Sequence, residues 1–217
     1  MTFLALLDFR ESPSANADRQ SVRTPFGAVA YDDTAPDLIV LAAAAADPRA
    51  NAYAARWLGA ERVIAVLAEP SLSQPVLPVD FIEFTSNRPT TFFETVGAGY
   101  VQQAPPFCPE LTAALASAGA AQEGLLLILD ELPPPTRQWW RSQGIDYFTT
   151  WSQPDGALCR ELEMCWAVLL TPPGFDLLLW LRGVSLPASR ACPCPQTMQF
   201  ARQSGRLPAD WRRWVAS

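Results

Sequence analysis

"SQPDGALCRELEMCWAVLLTPPGFD", residues 152–176, decides the fold. Pro154 and Asp155 are helix-start residues: proline presets φ, and an acid suits the positive end of the helix dipole. Cys165 to Leu170 is an unbroken apolar run, short enough for a buried strand. Pro172-Pro173-Gly174 then stops it. A helix feeding a buried strand is the repeating unit of an α/β sheet, and the loop after such a strand is where a site can sit.

The alternation extends outward from this stretch. Residues 2–8, the start of 37–48, 61–69, 79–86, 124–131 and 145–151 read as strands. "ERVIAVLAE" (61–69) is apolar on both faces, as a central, doubly covered strand requires. Residues 48–60, 109–120 and 134–144 read as helices, the second opened by Pro109 and Glu110. "FRESPSANADRQS" (9–21) reads as a polar loop, and 207–217 as a terminal amphipathic helix. With no internal repeat and no linker, residues 1–217 are expected to form one domain.

Composition narrows the chemistry. Hydrophobic residues make up 49% and charged residues 18%, which favours a packed domain over disorder. The net charge is −6 and no basic run occurs, so a nucleic-acid backbone is not an expected partner. The sequence has no histidine, which removes Ser-His-Asp and Cys-His catalysis and any His-based zinc site. The longest apolar stretch, about 165–184, is cut by Pro172-Pro173 and Asp176, so no membrane span is expected. Five cysteines and a start without a secretory pattern suggest a reduced, cytoplasmic protein. Cys192-Pro193-Cys194 has neither zinc-knuckle nor thioredoxin spacing, so the cysteines read as structural and no metal or cofactor is expected.

"RANAYAARWLGAERVIAVLAEPSL", "VDFIEFTSNRPTTFF", "APPFCPELTAAL" and "PDGALCRELEMCWA" follow one another in that order. In order and spacing they resemble the trimeric purine nucleoside phosphorylase family, in particular its 5′-methylthioadenosine phosphorylase branch. The likeness runs from about Arg49 to Asp176 and fades on either side. It implies a three-layer phosphorylase-type fold: a central mixed, mostly parallel β-sheet flanked by helices. It also implies a homo-oligomer, a trimer or hexamer, with a purine or nucleoside ligand. The family reaction is phosphorolysis, which needs donors around a phosphate, a carboxylate near the departing base and a shaped ribose pocket.

The family-equivalent positions are Ala68, Tyr100, Thr150, Trp151 and Asp176. Several have lost the implied chemistry. The first-strand loop "LLDFRESPSA" has no glycine, and the Arg-His-Gly turn is missing from "VLAAAAADPRAN". Arg49 belongs to the next helix and does not replace the lost arginine. A phosphate-binding Thr is replaced by Leu67, with Glu69 close by; Met-Thr becomes Thr150-Trp151; and the first Asp of the base loop becomes Gly174, leaving Asp176.

The expectation is a phosphorylase-fold protein that has lost phosphorolysis, has no catalytic residues and serves as a structural or ligand-binding oligomer. The rival is an active pentosyltransferase, a nucleoside phosphorylase or hydrolase with a rebuilt site using Asp176, Asp130 or Glu131. A third reading takes the low charge and eight tryptophans as marks of a protein partner. Blander roles stand beside the sharp ones. Asp176 can cap a helix, Asp130 and Glu131 can be a solvated loop, and Trp139, Trp140, Trp151 and Trp166 can be core or contact packing rather than purine stacking. Trp211 and Trp214 are expected to dock on the body or on a partner.

Overall fold

In a computed structural model, the described residues are 4–10, 19–35, 37–42, 47–86, 88–94, 101–131, 134–150, 155–207 and 210–216. In chain order the strands are β1 (Leu4–Asp8), β2 (Gln20–Thr24), β3 (Gly27–Ala35), β4 (Leu38–Ala42), β5 (Arg62–Ala68), β6 (Val76–Leu77), β7 (Asp80–Phe84), β8 (Ala121–Gln122), β9 (Leu125–Leu129), β10 (Tyr147–Thr149) and β11 (Cys165–Thr171). The helices are α1 (Pro48–Trp57), α2 (Pro109–Ser117), α3 (Pro134–Ser142), α4 (Asp155–Glu161), α5 (Leu177–Leu181) and α6 (Gln199–Gln203).

An eight-stranded sheet in the order β2-β3-β4-β1-β5-β11-β6-β8 forms the centre, and β10-β9-β7 form a second, parallel sheet. The central quartet β4-β1-β5-β11 is parallel throughout. The flanks carry the antiparallel pairs, which makes the sheet mixed.

Strand alternation divides the core in two. Ala5, Leu7, Val63, Ala65, Trp166 and Val168 face one side, where α1 and α4 cover them with small residues such as Ala50, Ala54 and Cys159. Leu4, Leu6, Ile64, Val66, Cys165, Ala167 and Leu169 face the other, under Leu111 and Leu115 of α2 and Leu177 and Leu181 of α5. Each central strand is buried on both faces, which is why these segments read as continuous apolar runs rather than alternating ones.

Two expectations change. The region expected to be a polar loop ends in β2, which pairs with β3 as a hairpin across Pro25-Phe26. Val22 lies opposite Val29 in this hairpin, and Gly27 takes φ 131° after its turn. The tail forms a 3-10 turn, Trp211–Ala216, in place of an α-helix. Trp211 docks on the body, buried and meeting the Phe93 ring at 5.9 Å, while the Trp214 side chain lies outside what is described. The described residues contain no helix long and apolar enough to cross a membrane.

Candidate functional site

Parallel strands point their C-terminal ends the same way, and ligands of α/β sheets bind at that edge. Here the edge is formed by Asp8 of β1, Ala68 of β5 and Thr171 of β11, with β5 in the middle. Ala68 is exposed and lies opposite Thr171 in register. The ladder runs on past the strands, with Phe9 N–H donating to Val66 and Glu69 N–H to Thr171.

Among the described residues, three side-chain donors at this edge, Arg10, Ser71 and Thr171, are engaged within the protein. Arg10 holds the Asp8 carboxylate with two bonds, Nε to Oδ1 at 2.9 Å and Nη2 to Oδ2 at 2.7 Å. Its Nη1 donates to the Phe175 carbonyl at 3.2 Å. Arg10 therefore ties the exit of β1 to the exit of β11, on either side of β5. The Ser71 hydroxyl donates to Glu69 Oε1 at 2.7 Å, and the Ser71 backbone N–H donates to the same oxygen at 3.2 Å. The buried Thr171 hydroxyl turns back to the Leu67 carbonyl at 3.2 Å. Leu67 itself is part of the core.

Asp176 is the N-cap of α5, its Oδ1 accepting from Leu179 N–H at 3.0 Å. Gly174 takes φ 71° in the turn before it, a conformation that an L side chain resists. Thr150 follows β10 on the second sheet, and its carbonyl accepts from Arg88 Nη2 at 2.7 Å. The structure thus brings Ala68 and the Asp176 loop to one edge. Tyr100, Trp151 and Pro154 lie outside the described residues. Asp130 accepts from both the backbone and the hydroxyl of Ser86, and Glu131 is exposed, as the loop reading expects. Trp166 is core, Trp139 is exposed, and Trp140 packs against Trp139 and Phe84.

Among the buried carboxylates, Asp155 and Glu161 give no sign of their burial in the sequence. Asp155, at the start of α4, is reached by Asn51 Nδ2 at 3.4 Å, and burial pushes its pKa up to about 7. Glu161, at the end of α4, accepts from the Thr91 hydroxyl and from Phe92 N–H at 2.8 Å; burial raises it to about 7 as well. Each reads as an ordinary helix residue in the sequence, because the partners Asn51, Thr91 and Phe92 are remote along the chain.

Four cysteines also converge. The Sγ atoms of Cys108, Cys165, Cys192 and Cys194 all lie within 4.8 Å of one another. They interact: hydrogen bonds from Cys165 and then Cys194 pull the Cys108 thiol down in pKa, and the bond with Cys108 pushes Cys165 up. Cys192 and Cys194 are close in sequence, but nothing in the spacing announces the other two.

No protein-family model matches the chain. Curated sequences do. A probable S-methyl-5′-thioinosine phosphorylase of Methanopyrus kandleri is 29% identical over 194 residues, covering 70% of this chain and 75% of that protein. An S-methyl-5′-thioadenosine phosphorylase of Mycolicibacterium smegmatis is 35% identical over 138 residues, covering 59% of this chain but 53% of that protein. The chain thus matches about half the length of several such relatives. Among solved structures, methylthioadenosine phosphorylase from Schistosoma mansoni aligns with a TM-score of 0.65 at 15% identity, covering 99% of this chain and 95% of that one. The structural likeness shows a phosphorylase fold. The sequence relatives add a likeness, at modest identity, to methylthioadenosine and methylthioinosine phosphorylases.

Proposed function

We propose that this chain keeps the phosphorylase scaffold, has lost phosphorolysis and works as an oligomeric purine- or nucleoside-binding protein. The observation that carries this is the closed set of bonds over β5. Arg10 is committed to Asp8 and Phe175, Ser71 to Glu69, and Thr171 to Leu67. An incoming phosphate would meet the Glu69 carboxylate, and it would have to break bonds already made. Each charge-assisted bond to an anion contributes about 1.5–3 kcal/mol, so losing several weakens binding by several powers of ten. Asp176 commits its Oδ1 to the α5 cap, which ties the carboxylate to its own helix and weakens its service beside a departing purine.

Assembly with further copies is part of the same proposal. Ile82 and Phe84 of β7 share one exposed strand face, and Phe84 leads to Trp140 and exposed Trp139. Apolar surface of this kind is commonly covered by a neighbouring subunit. The test of function is adenine release from methylthioadenosine and adenosine with saturating phosphate. No release above buffer is expected; turnover at ordinary enzyme rates rejects the proposal.

The rival, an active phosphorylase, draws on Arg10, a guanidinium set at the end of β1, and on the activities named for the sequence relatives. It requires Arg10 to let go of Asp8 when phosphate arrives. Asp8→Asn separates the two: it would raise phosphate affinity in the rival and leave it undetectable in the proposal.

A further inference from the structure

The four converging cysteines come from three separate parts of the chain. Cys108 is the N-cap of α2, its sulfur accepting from Leu111 N–H at 3.5 Å. Cys165 opens β11. Cys192 and Cys194 sit on the stretch after α5, where the structure has only a 3-10 turn, Cys194–Gln196, before α6. Cys108, Cys165 and Cys194 are buried, and Cys192 is half-buried. The fifth cysteine, Cys159, lies in the core on the opposite face of the sheet.

A tetrahedral tetrathiolate with Zn–S bonds of about 2.3 Å holds its sulfurs roughly 3.8 Å apart. Cys165 and Cys192 are 3.4 Å apart, and the whole set fits within 4.8 Å. That is too long for S–S bonds and too tight for a multi-iron cluster, but close to the spacing around one ion. We propose that Cys108, Cys165, Cys192 and Cys194 form a structural site for one Zn²⁺ ion, which fastens the segment between α5 and α6 to the central sheet.

Charge and access both fit. Binding releases the four thiol protons and leaves Zn²⁺ with four thiolates, a net charge of −2. Arg62 lies opposite Cys165 in register, on the same face, and is fully buried. Its Nη2 is used by Glu110 and the Pro187 carbonyl, while its Nε and Nη1 have no hydrogen-bond partner among the described residues. This guanidinium puts positive charge on the sheet face that carries Cys165, and Glu110 offsets part of it at 2.9 Å. Arg160 adds a second cation, lining a hollow of about 220 Å³ with Cys194 and Pro193 that offers a way in. Four soft sulfur donors with no oxygen ligand select zinc over magnesium or calcium. Hydrogen bonds already guide the segment: Ala191 N–H reaches Glu110 Oε2 at 2.8 Å, and Arg190 reaches the Glu163 carbonyl at 2.7 Å.

The test uses the full chain, expressed without a histidine tag, kept reduced and loaded with zinc or cobalt. Elemental analysis should give one zinc per chain. The cobalt form should show intense near-ultraviolet thiolate-to-metal bands and the visible bands of a tetrahedral site. Cys165→Ser and Cys192→Ser should each lose the metal, while Cys159→Ala keeps it. Should the serine variants not fold, the wild-type chain still decides: with zinc bound, four thiols should resist Ellman's reagent until a strong chelator is added. Reduced protein that takes up neither metal overturns the proposal. So does uptake that survives both serine substitutions, or a purified chain whose mass shows these cysteines paired as disulfides.

Discussion

Asp155 and Glu161 make stability depend on pH. Both carboxyl groups are raised by burial, from ordinary values of 3.8 and 4.5 to about 7. Between about 4 and about 7 the folded chain therefore keeps protons that the unfolded chain has released. Stability should fall as pH rises through that window, by on the order of a few kcal/mol, and level off above it. Urea unfolding across the range checks the slope, and Asp155→Asn with Glu161→Gln should flatten it. A neutral Asp155 also answers a local need: Asn51 Oδ1 is buried with no partner among the described residues, and turning that amide lets a protonated Asp155 donate to it. At this scale the sequence was legible where chemistry is local. Asp176 as a cap and Trp211 as an anchor follow from residue type and neighbours. Arg10 was not legible, because its partners are set by the convergence of β1 and β11.

Among the elements, the passage from one sheet to the other turns on Gly124. It stands between β8 and β9 at φ 77°, and a Cβ there would lie 2.5 Å from the Tyr147 ring. Its carbonyl accepts from Val79 N–H at 3.0 Å. Gly124→Ala should cost roughly 1–3 kcal/mol, read as a lowered urea midpoint. The tail has an anchor of a different kind. Glu163, buried at φ 57° between α4 and β11, pairs with Arg212 and lies 3.3 Å from Arg202. Because both arginines are partly exposed, Glu163→Gln should cost only about 1–2 kcal/mol, while faster hydrogen exchange should appear around Trp211. The central strands and α1, α2 and α4 were readable from apolar runs and helix-start residues. The β2–β3 hairpin was not, since its outer face is polar and the segment looks like loop.

For the whole molecule, the exposed face of β7 and α3 bears on assembly. Light scattering should find a trimer or hexamer, and Phe84→Asp should shift it toward monomer without changing the far-ultraviolet circular dichroism. A monomeric wild-type chain would contradict that part of the account. The fold class follows from the alternation of strands and helices, and the likeness to the phosphorylases from four ordered segments. Which groups meet at the strand-end edge was not legible, because it required the strand order that places β5 between β1 and β11.

The central claim is that the C-terminal edge of β5 no longer holds an anion. Isothermal titration of the full chain with inorganic phosphate, alone and with adenine present, measures this most directly. The account predicts no saturable heat up to tens of millimolar, a range set by the several powers of ten lost with the donors. A single saturable site with a dissociation constant below about a millimolar, weakened on changing Arg10 to alanine, would contradict it.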